Sequence, residues 1–173
     1  YSNVQVQGTG NMGNYSGGMV GRLRTSLTIE RSYTAGEVKG YTAGGVLAGG
    51  QNSSTPAALY SNVIAWNSSV EGTTANPLGA LTEDDQQQGV LYSASMRVNG
   101  EPVEGGHSAD ELRQAAAAWG APWHSAPTAG NGYPILEWQY QRGDYRQKCG
   151  FPLPSGIIST PSAAQPLGQA TYD

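Results

Sequence analysis

Two short signatures recur along this chain, and their spacing limits the fold more than any other feature. Gly-Gly followed by two apolar residues stands at Gly17–Val20 and again at Gly44–Leu47, an offset of 27 residues. A second signature opens on Tyr and closes on Val, a polar residue and Gly. It runs from Tyr1 to Val6-Gln7-Gly8, Tyr33 to Val38-Lys39-Gly40, Tyr60 to Val70-Glu71-Gly72, and Tyr92 to Val98-Asn99-Gly100. Tyr33 and Tyr60 are also 27 residues apart, whereas Tyr1 to Tyr33 and Tyr60 to Tyr92 span 32. A period near 30 residues is about the size of one supersecondary unit, and such a unit cannot bury an apolar face until neighbours stack on it.

Within each unit the apolar runs are short, as in "MVGRL", "LTIERSY", "GVLA" and "NVIAW", and Gly, Asn or Ser bound them. That pattern predicts strands. The expected fold is all-β: a right-handed β-solenoid (β-helix) of short strands over residues 1–100, with equivalent positions lying above one another. Tyr1, Tyr33 and Tyr60 should form one ladder, and Val6, Val38 and Val70 another. In the third unit the Gly-Gly half has decayed to "PLGAL" at Pro77–Leu81. A Gly-rich β-sandwich of hairpins is the competing architecture.

Composition agrees with short strands and tight turns. Of 173 residues 25 are Gly, and the aromatic set is ten Tyr, four Trp and one Phe, too little Phe for a large conventional core. The net charge is −4 with no Lys/Arg run, which removes the electrostatic footprint that nucleic acid or an anionic membrane needs. No apolar stretch approaches the ~18 residues of a bilayer span. The chain opens at Tyr1 without Met and without a signal peptide, and reads as a processed product or fragment that begins partway through an array. Cys149 is the only cysteine, so no internal disulfide forms. His107 and His124 stand apart without metal-ligand spacing, and no metal or cofactor is expected.

The rhythm breaks after residue 72. Glu83, Asp84 and Asp85 form an acidic run that reads as a solvated turn rather than a calcium loop. "HSADELRQAAAAWG" predicts a helix, with Ser108 and Glu111 as a capping box, an alanine run, and Gly120 as the stop. Leu112, Ala116 and Trp119 share its apolar face. Together with "YPILEW" as a following strand, this helix is expected to cover the open end of the stack, so residues 101–140 form a cap. Residues 141–173 carry Pro at 152, 154, 161 and 166 and read as a tail, or as a strap docked through Phe151, Leu153, Ile157 and Ile158. Arg142-Gly143-Asp144 is a three-letter match too short to carry an integrin-type function. The sequons at Asn14, Asn52 and Asn67 read as turn chemistry.

"SGGMVG…IERSYTAGEVKGYTAGGVLAGG" resembles the GLUG repeat family of bacterial surface proteins. Gly17, Gly18, Met19, Val20 and Gly21 match its first half, and Ser32 to Gly36, Val38 and Gly40 match its second. "NVIAWNSSVEG" is similar to the segment that ends such arrays, except that Trp66 replaces a small or aliphatic residue. The later "GNGYPILEW" is similar to the end of these proteins, so the resemblance covers about residues 1–138. It implies a β-helical fold, an extracellular, cell-surface setting, and occurrence in adhesin-like proteins or beside a secreted peptidase. It implies no catalytic residues and no single ligand.

The residues themselves carry no nucleophile elbow, zinc-protease helix or phosphate loop. Glu30, Arg31, Glu37 and Lys39 are scattered rather than paired for glycoside hydrolysis. An enzyme is not expected. The expected function is an adhesin-like or structural repeat domain on the bacterial cell surface. Its partners would be surface proteins, glycans, or neighbouring domains of a surface assembly. The alternatives are a glycan-binding module that uses Trp66, Trp123 and Trp138 as stacking platforms, and an accessory repeat of a secreted peptidase.

Overall fold

The computed structural model of the chain describes residues 1–3, 5–8, 14–23, 26–49, 58–79, 86–124 and 132–142. The acidic run at 83–85, Cys149, the Asn52 sequon, Gly143-Asp144 and the 143–173 tail lie outside the described residues. In chain order the first strands are β1 (Ser2–Asn3), β2 (Val6–Gln7), β3 (Tyr15–Gly17), β4 (Val20–Arg22) and β5 (Leu27–Lys39). Then come β6 (Thr42–Gly44), β7 (Leu47–Gly49), β8 (Ala58–Glu71), β9 (Thr74–Asn76), β10 (Gln86–Tyr92), β11 (Arg97–Val98) and β12 (Glu101–Pro102). Helix α1 (Ala109–Ala117), β13 (Trp123–His124), β14 (Ile135–Leu136) and helix α2 (Glu137–Arg142) follow. The described residues are all-β apart from these two helices.

The strands pair by repeat position rather than by hairpin. The largest sheet stacks β1 and β2 on β5, β5 on β8, and β10 and β11 on β8, all parallel. A second sheet runs β3-β6-β9 and a third pairs β4 with β7, again parallel. Parallel pairing needs a long connection between partners, and the intervening strands of the other two sheets supply it. The only antiparallel pairs among the described residues are β11 with β12 and β13 with β14.

The register separates real repeat markers from coincidence. Val6, Val38, Val70 and Val98 lie in one column, as expected and one unit longer. Gly17 sits on Gly44, so the 27-residue glycine offset is a true register. The tyrosine offset of 27 is not. Tyr33 aligns with Ile64, while Tyr60 aligns with Ile29. The Tyr ladder therefore holds for Tyr1 and Tyr33 alone; their rings stack 5.2 Å apart at 4°.

The slip comes from connection length. Gly49 to Ala58 is four residues longer than the matching Arg22 to Leu27. The offset of 27 therefore becomes 31 in the large sheet, which then bends without losing that register. Arg31 on β5, Asn62 on β8 and Gly89 on β10 follow register-matched residues, and all have positive φ (40°, 56° and 63°). Asn and Gly enter this left-handed region at low cost, Arg less readily. At Asn62 the inward alternation changes phase: Ala58 and Tyr60 point in before it, Val63, Ala65 and Asn67 after it. A bulge between Gly36 and Glu37 resets the register again before Val38 and Val70. "LTIERSY" and "EVKG" are thus one bent strand, not two.

The Gly-Gly pairs have a packing reason. A Cβ on Gly17 would collide with the carbonyl of Val20, and one on Gly44 with that of Leu47. A Cβ on Gly18 would meet the carbonyl of Gly45, and one on Gly45 that of Pro77, each in the next unit. The first Gly closes its own turn; the second admits the neighbouring turn. Pro77 occupies the third-unit position, just past β9, the outermost strand of the β3-β6-β9 sheet, where no described strand follows.

The interior is lined by small aliphatics: Val38, Val46, Leu47, Val63, Ala65 and Val70 are at most 1% exposed. Each fully buried Val stabilises the fold by roughly 1.5–3 kcal/mol relative to an exposed one. Two polar residues join them. Asn67 is fully buried in β8, not in a turn, and its Oδ1 accepts a 2.9 Å hydrogen bond from the Thr34 hydroxyl.

Helix α1 forms as expected. The Ser108 Oγ accepts from the Glu111 N–H, the Glu111 carboxylate accepts from the Ser108 N–H at 2.7 Å, and Gly120 takes the left-handed stop. Its location differs from the expectation of an end cover. Leu112, Ala116 and Trp119 pack on Tyr33, Ile64 and Trp66, on the outer face of the large sheet. The segment after it also differs: Ile135–Leu136 is a two-residue strand, and Glu137 and Trp138 already belong to α2. The sheet continues past residue 100 through the β11–β12 turn.

Candidate functional site

The outer face of the β5–β8 sheet gathers the aromatic residues. Alternation turns Tyr33, Ile64 and Trp66 outward while Val63 and Ala65 face the interior. Tyr33 contacts Tyr1, Trp123 and Tyr133, with ring centroids 5.2, 5.8 and 5.8 Å away. Trp66 meets Tyr133 at 4.6 Å, and Trp119 meets Trp123 edge-on at 5.3 Å. These tilted and stacked arrangements are the favourable ones for aromatic pairs. Burial pushes the Tyr133 phenol above its ordinary range. Arg31 donates to the carbonyl of Ala121 at 3.2 Å, tying the bent strand to the segment that follows α1.

The three tryptophans singled out from sequence occupy different settings. Trp66 and Trp123 join the same aromatic cluster. Trp66 is 8% exposed and Trp123 half-buried, so their ring faces are already occupied by protein. Trp138 stands on α2 with 48% of its surface exposed, and Tyr140 on the same helix is 42% exposed. His124 stacks on Tyr140 with centroids 3.6 Å apart, and its Nδ1 lies 2.8 Å from a Glu137 carboxylate oxygen. Gln139 is buried at the root of α2. It accepts from the Leu136 N–H and donates to the Tyr1 hydroxyl at 2.8 Å.

Two grooves cross the large sheet, one toward the C-terminal ends of β5 and β8 and one toward their N-terminal ends. One, of about 210 Å³, runs over Gln5, Gln7, Glu37, Lys39, Ser69 and Glu71. Its residues are stacked by register: Gln7 on Lys39 on Glu71. Lys39 Nζ donates to Glu71 at 2.7 Å, and Gln5 donates to Glu37 at 3.2 Å. The hydrogen bond and charge of Glu71 hold the Lys39 ammonium above the usual lysine range. The other groove, about 250 Å³, is lined by Thr28, Glu30, Leu59, Ser61, Gln87 and Gln88. Sequence reading missed this polar column, although its signal was present: it is the variable residue of each Val-X-Gly ending.

Among the described residues no group of three or more His, Cys, Asp or Glu converges in metal-binding geometry. Among them, too, no helix is long and apolar enough to cross a membrane. The arrangement offers flat polar ladders and a few exposed aromatic rings, which suit contact over an extended surface.

No protein-family model matches the chain, and neither does any curated protein sequence. Among solved structures, the chain is similar to a Bacteroides ovatus protein described as a "putative immunoglobulin A1 protease". The TM-score is 0.58 at 24% sequence identity, over 72% of this chain and 42% of that one. This likeness concerns the fold, and the chain spans less than half the length of the protein it matches.

Proposed function

We propose that this chain is a GLUG-like right-handed β-solenoid domain of an extracellular bacterial surface protein, acting as an adhesin-like or structural module without catalysis. The observation that carries the reading is the parallel pairing of strands, within three sheets, at common repeat positions. Stacking of that kind makes a stiff body whose outward columns repeat at strand spacing and can meet a partner through many weak contacts. Displayed on a non-adherent bacterium, the domain should raise retention on glycoprotein-coated surfaces above that of the display anchor alone. Equal retention would contradict the contact role. Cleavage of immunoglobulin A1 by the isolated domain would contradict the non-catalytic one.

The description of the Bacteroides ovatus structure favours a second reading, an accessory repeat domain of a secreted peptidase. In that case the domain should bind immunoglobulin A1 without cutting it. The exposed ring of Trp138 favours a third, glycan stacking. There, Trp138→Ala should abolish glycan-array binding while leaving the fold intact.

A further inference from the structure

The chain contains two Asn-Gly pairs, Asn99-Gly100 and Asn131-Gly132. A glycine after asparagine leaves the next backbone nitrogen without a side chain to shield it, and that nitrogen can attack the side-chain amide. As letters the two pairs are equal. Their surroundings are not.

Asn99 and Gly100 are the two loop residues of the β11–β12 hairpin, which Val98 opposite Glu101 closes. Both have positive φ, 52° and 86°, as a tight I′ turn requires. Both are exposed, and a Cβ built on Gly100 would meet nothing within 4 Å, so water reaches the peptide between them. The Asn99 Oδ1 accepts a 2.8 Å hydrogen bond from the Gly72 N–H. That donor sits on the oxygen that gains negative charge when Cγ is attacked, where a fixed N–H lowers the barrier. Gly132 is enclosed instead. It is buried, Arg113 Nε donates to its carbonyl at 3.3 Å, and an added Cβ would collide with the Arg113 guanidinium. Asn131 itself lies outside the described residues.

We propose that Asn99 is a site of spontaneous deamidation in the folded protein, and that it reacts ahead of Asn131. The Gly100 nitrogen gives its proton to water or hydroxide and bonds to the Asn99 Cγ. The Cγ–Nδ2 bond breaks, ammonia leaves, and a cyclic imide remains. Water then opens the ring at Cγ, giving aspartate, or at the main-chain carbonyl carbon of residue 99, giving isoaspartate. Nothing is oxidised or reduced; water is consumed and ammonia released. Either product puts a carboxylate one position past the Val98–Val70 pair, at the end of the Gln7-Lys39-Glu71 column. The polar ladder thereby gains a negative charge next to Glu71. The two products differ in the backbone. Aspartate keeps an acceptor for the Gly72 N–H, and the hairpin stays closed. Isoaspartate routes the main chain through Cβ and Cγ, lengthens a two-residue loop, and cannot hold Val98 opposite Glu101.

The test incubates the full chain in mildly alkaline buffer made with heavy-oxygen water and follows both Asn-Gly peptides by mass spectrometry. Circular dichroism on the same samples shows that the fold persists. Heavy oxygen in the product marks hydrolysis during the incubation rather than during digestion. The peptide holding Asn99 should lose its amide and take up heavy oxygen while the peptide holding Asn131 keeps most of its own. Retention of the Asn99 amide in the folded chain overturns the proposal, and so does conversion of Asn131 at an equal or greater rate. Hydrogen exchange reads the consequence. Asn99→Asp should keep the parent's protection at Val98 and Glu101, and the isoaspartate fraction of the aged chain should lose it. Equal protection in the two would overturn the assigned opening of the hairpin.

Discussion

The two faces of the β5–β8 sheet differ in residue size, and the cause is what lies against each. The inner face meets other strands of the same units, so its positions are set by the repeat: Val38 on Val70, Val63 between Ser32 and Val90. Past Asn62 the inner positions of β8 are Val63, Ala65 and Val70 around the polar Asn67, while Ile29 and Tyr60 are the larger inner residues before the bend. The outer face meets α1 and the loop beyond it, which occur once. There the positions are free of the repeat, and Tyr33, Ile64 and Trp66 fill one irregular interface with Trp119, Trp123 and Tyr133. Stacking builds the body; a non-repeating layer covers the one flank that carries large aromatics.

The largest expected effect breaks the outer face. Trp66→Ala removes the ring that seats Tyr133 and should cost roughly 3–5 kcal/mol in urea unfolding. Exchange protection of α1 should fall before that of β8, and simultaneous loss would mean that the layers are not separable. On the repeat side, Gly45→Ala drives a methyl toward the Pro77 carbonyl and should cost about 1–3 kcal/mol. Pro77→Ala, at the equivalent place just past the outermost strand, should cost clearly less.

Smaller effects concern the covering helix. Ser108→Ala removes its N-cap and should cost about 1 kcal/mol in thermal or urea unfolding. The Ser108 N–H and O–H hold the Glu111 carboxyl below its ordinary value of 4.5. A carboxylate so depressed stabilises the fold above that ordinary value, and the contribution disappears as pH falls through the lower folded one. Acidification below about pH 4.5 should therefore weaken helical circular dichroism in the parent and leave Glu111→Gln, which has no carboxyl to titrate there, nearly unaffected. The smallest effect is expected at the exposed Lys39–Glu71 pair, where Lys39→Ala should leave the unfolding midpoint within error at physiological salt.

What was legible in the sequence is what the repeat repeats. The Val-X-Gly endings and the Gly-Gly turns fall in register because the stack forces chemically similar residues onto one another. The capping box and apolar face of α1 were legible because they are local. The Tyr33–Tyr60 match misled because the connection from Gly49 to Ala58 is four residues longer than that from Arg22 to Leu27, so the large sheet runs at an offset of 31 rather than 27, and a single matching letter does not announce which offset its strand takes; Arg31 in a left-handed conformation gives no sequence signal at all. The position of α1 was not legible either. Its apolar stripe says that the helix is covered, not whether it lies over an end or a flank. Trp66 breaks the small-residue pattern of its column because it faces that helix.

The central claim is that successive units stack in parallel with Lys39 over Glu71, and spin labels test it directly. With Cys149→Ser, nitroxides at Lys39→Cys and Glu71→Cys would sit on adjacent strands about 4.8 Å apart at the backbone. The account expects strong dipolar broadening of the double-label spectrum relative to the sum of the single labels. A double-label spectrum that equals that sum, or equal broadening when the second label is placed at Trp66 (the partner that the Tyr33–Tyr60 offset would give to Lys39), would contradict it.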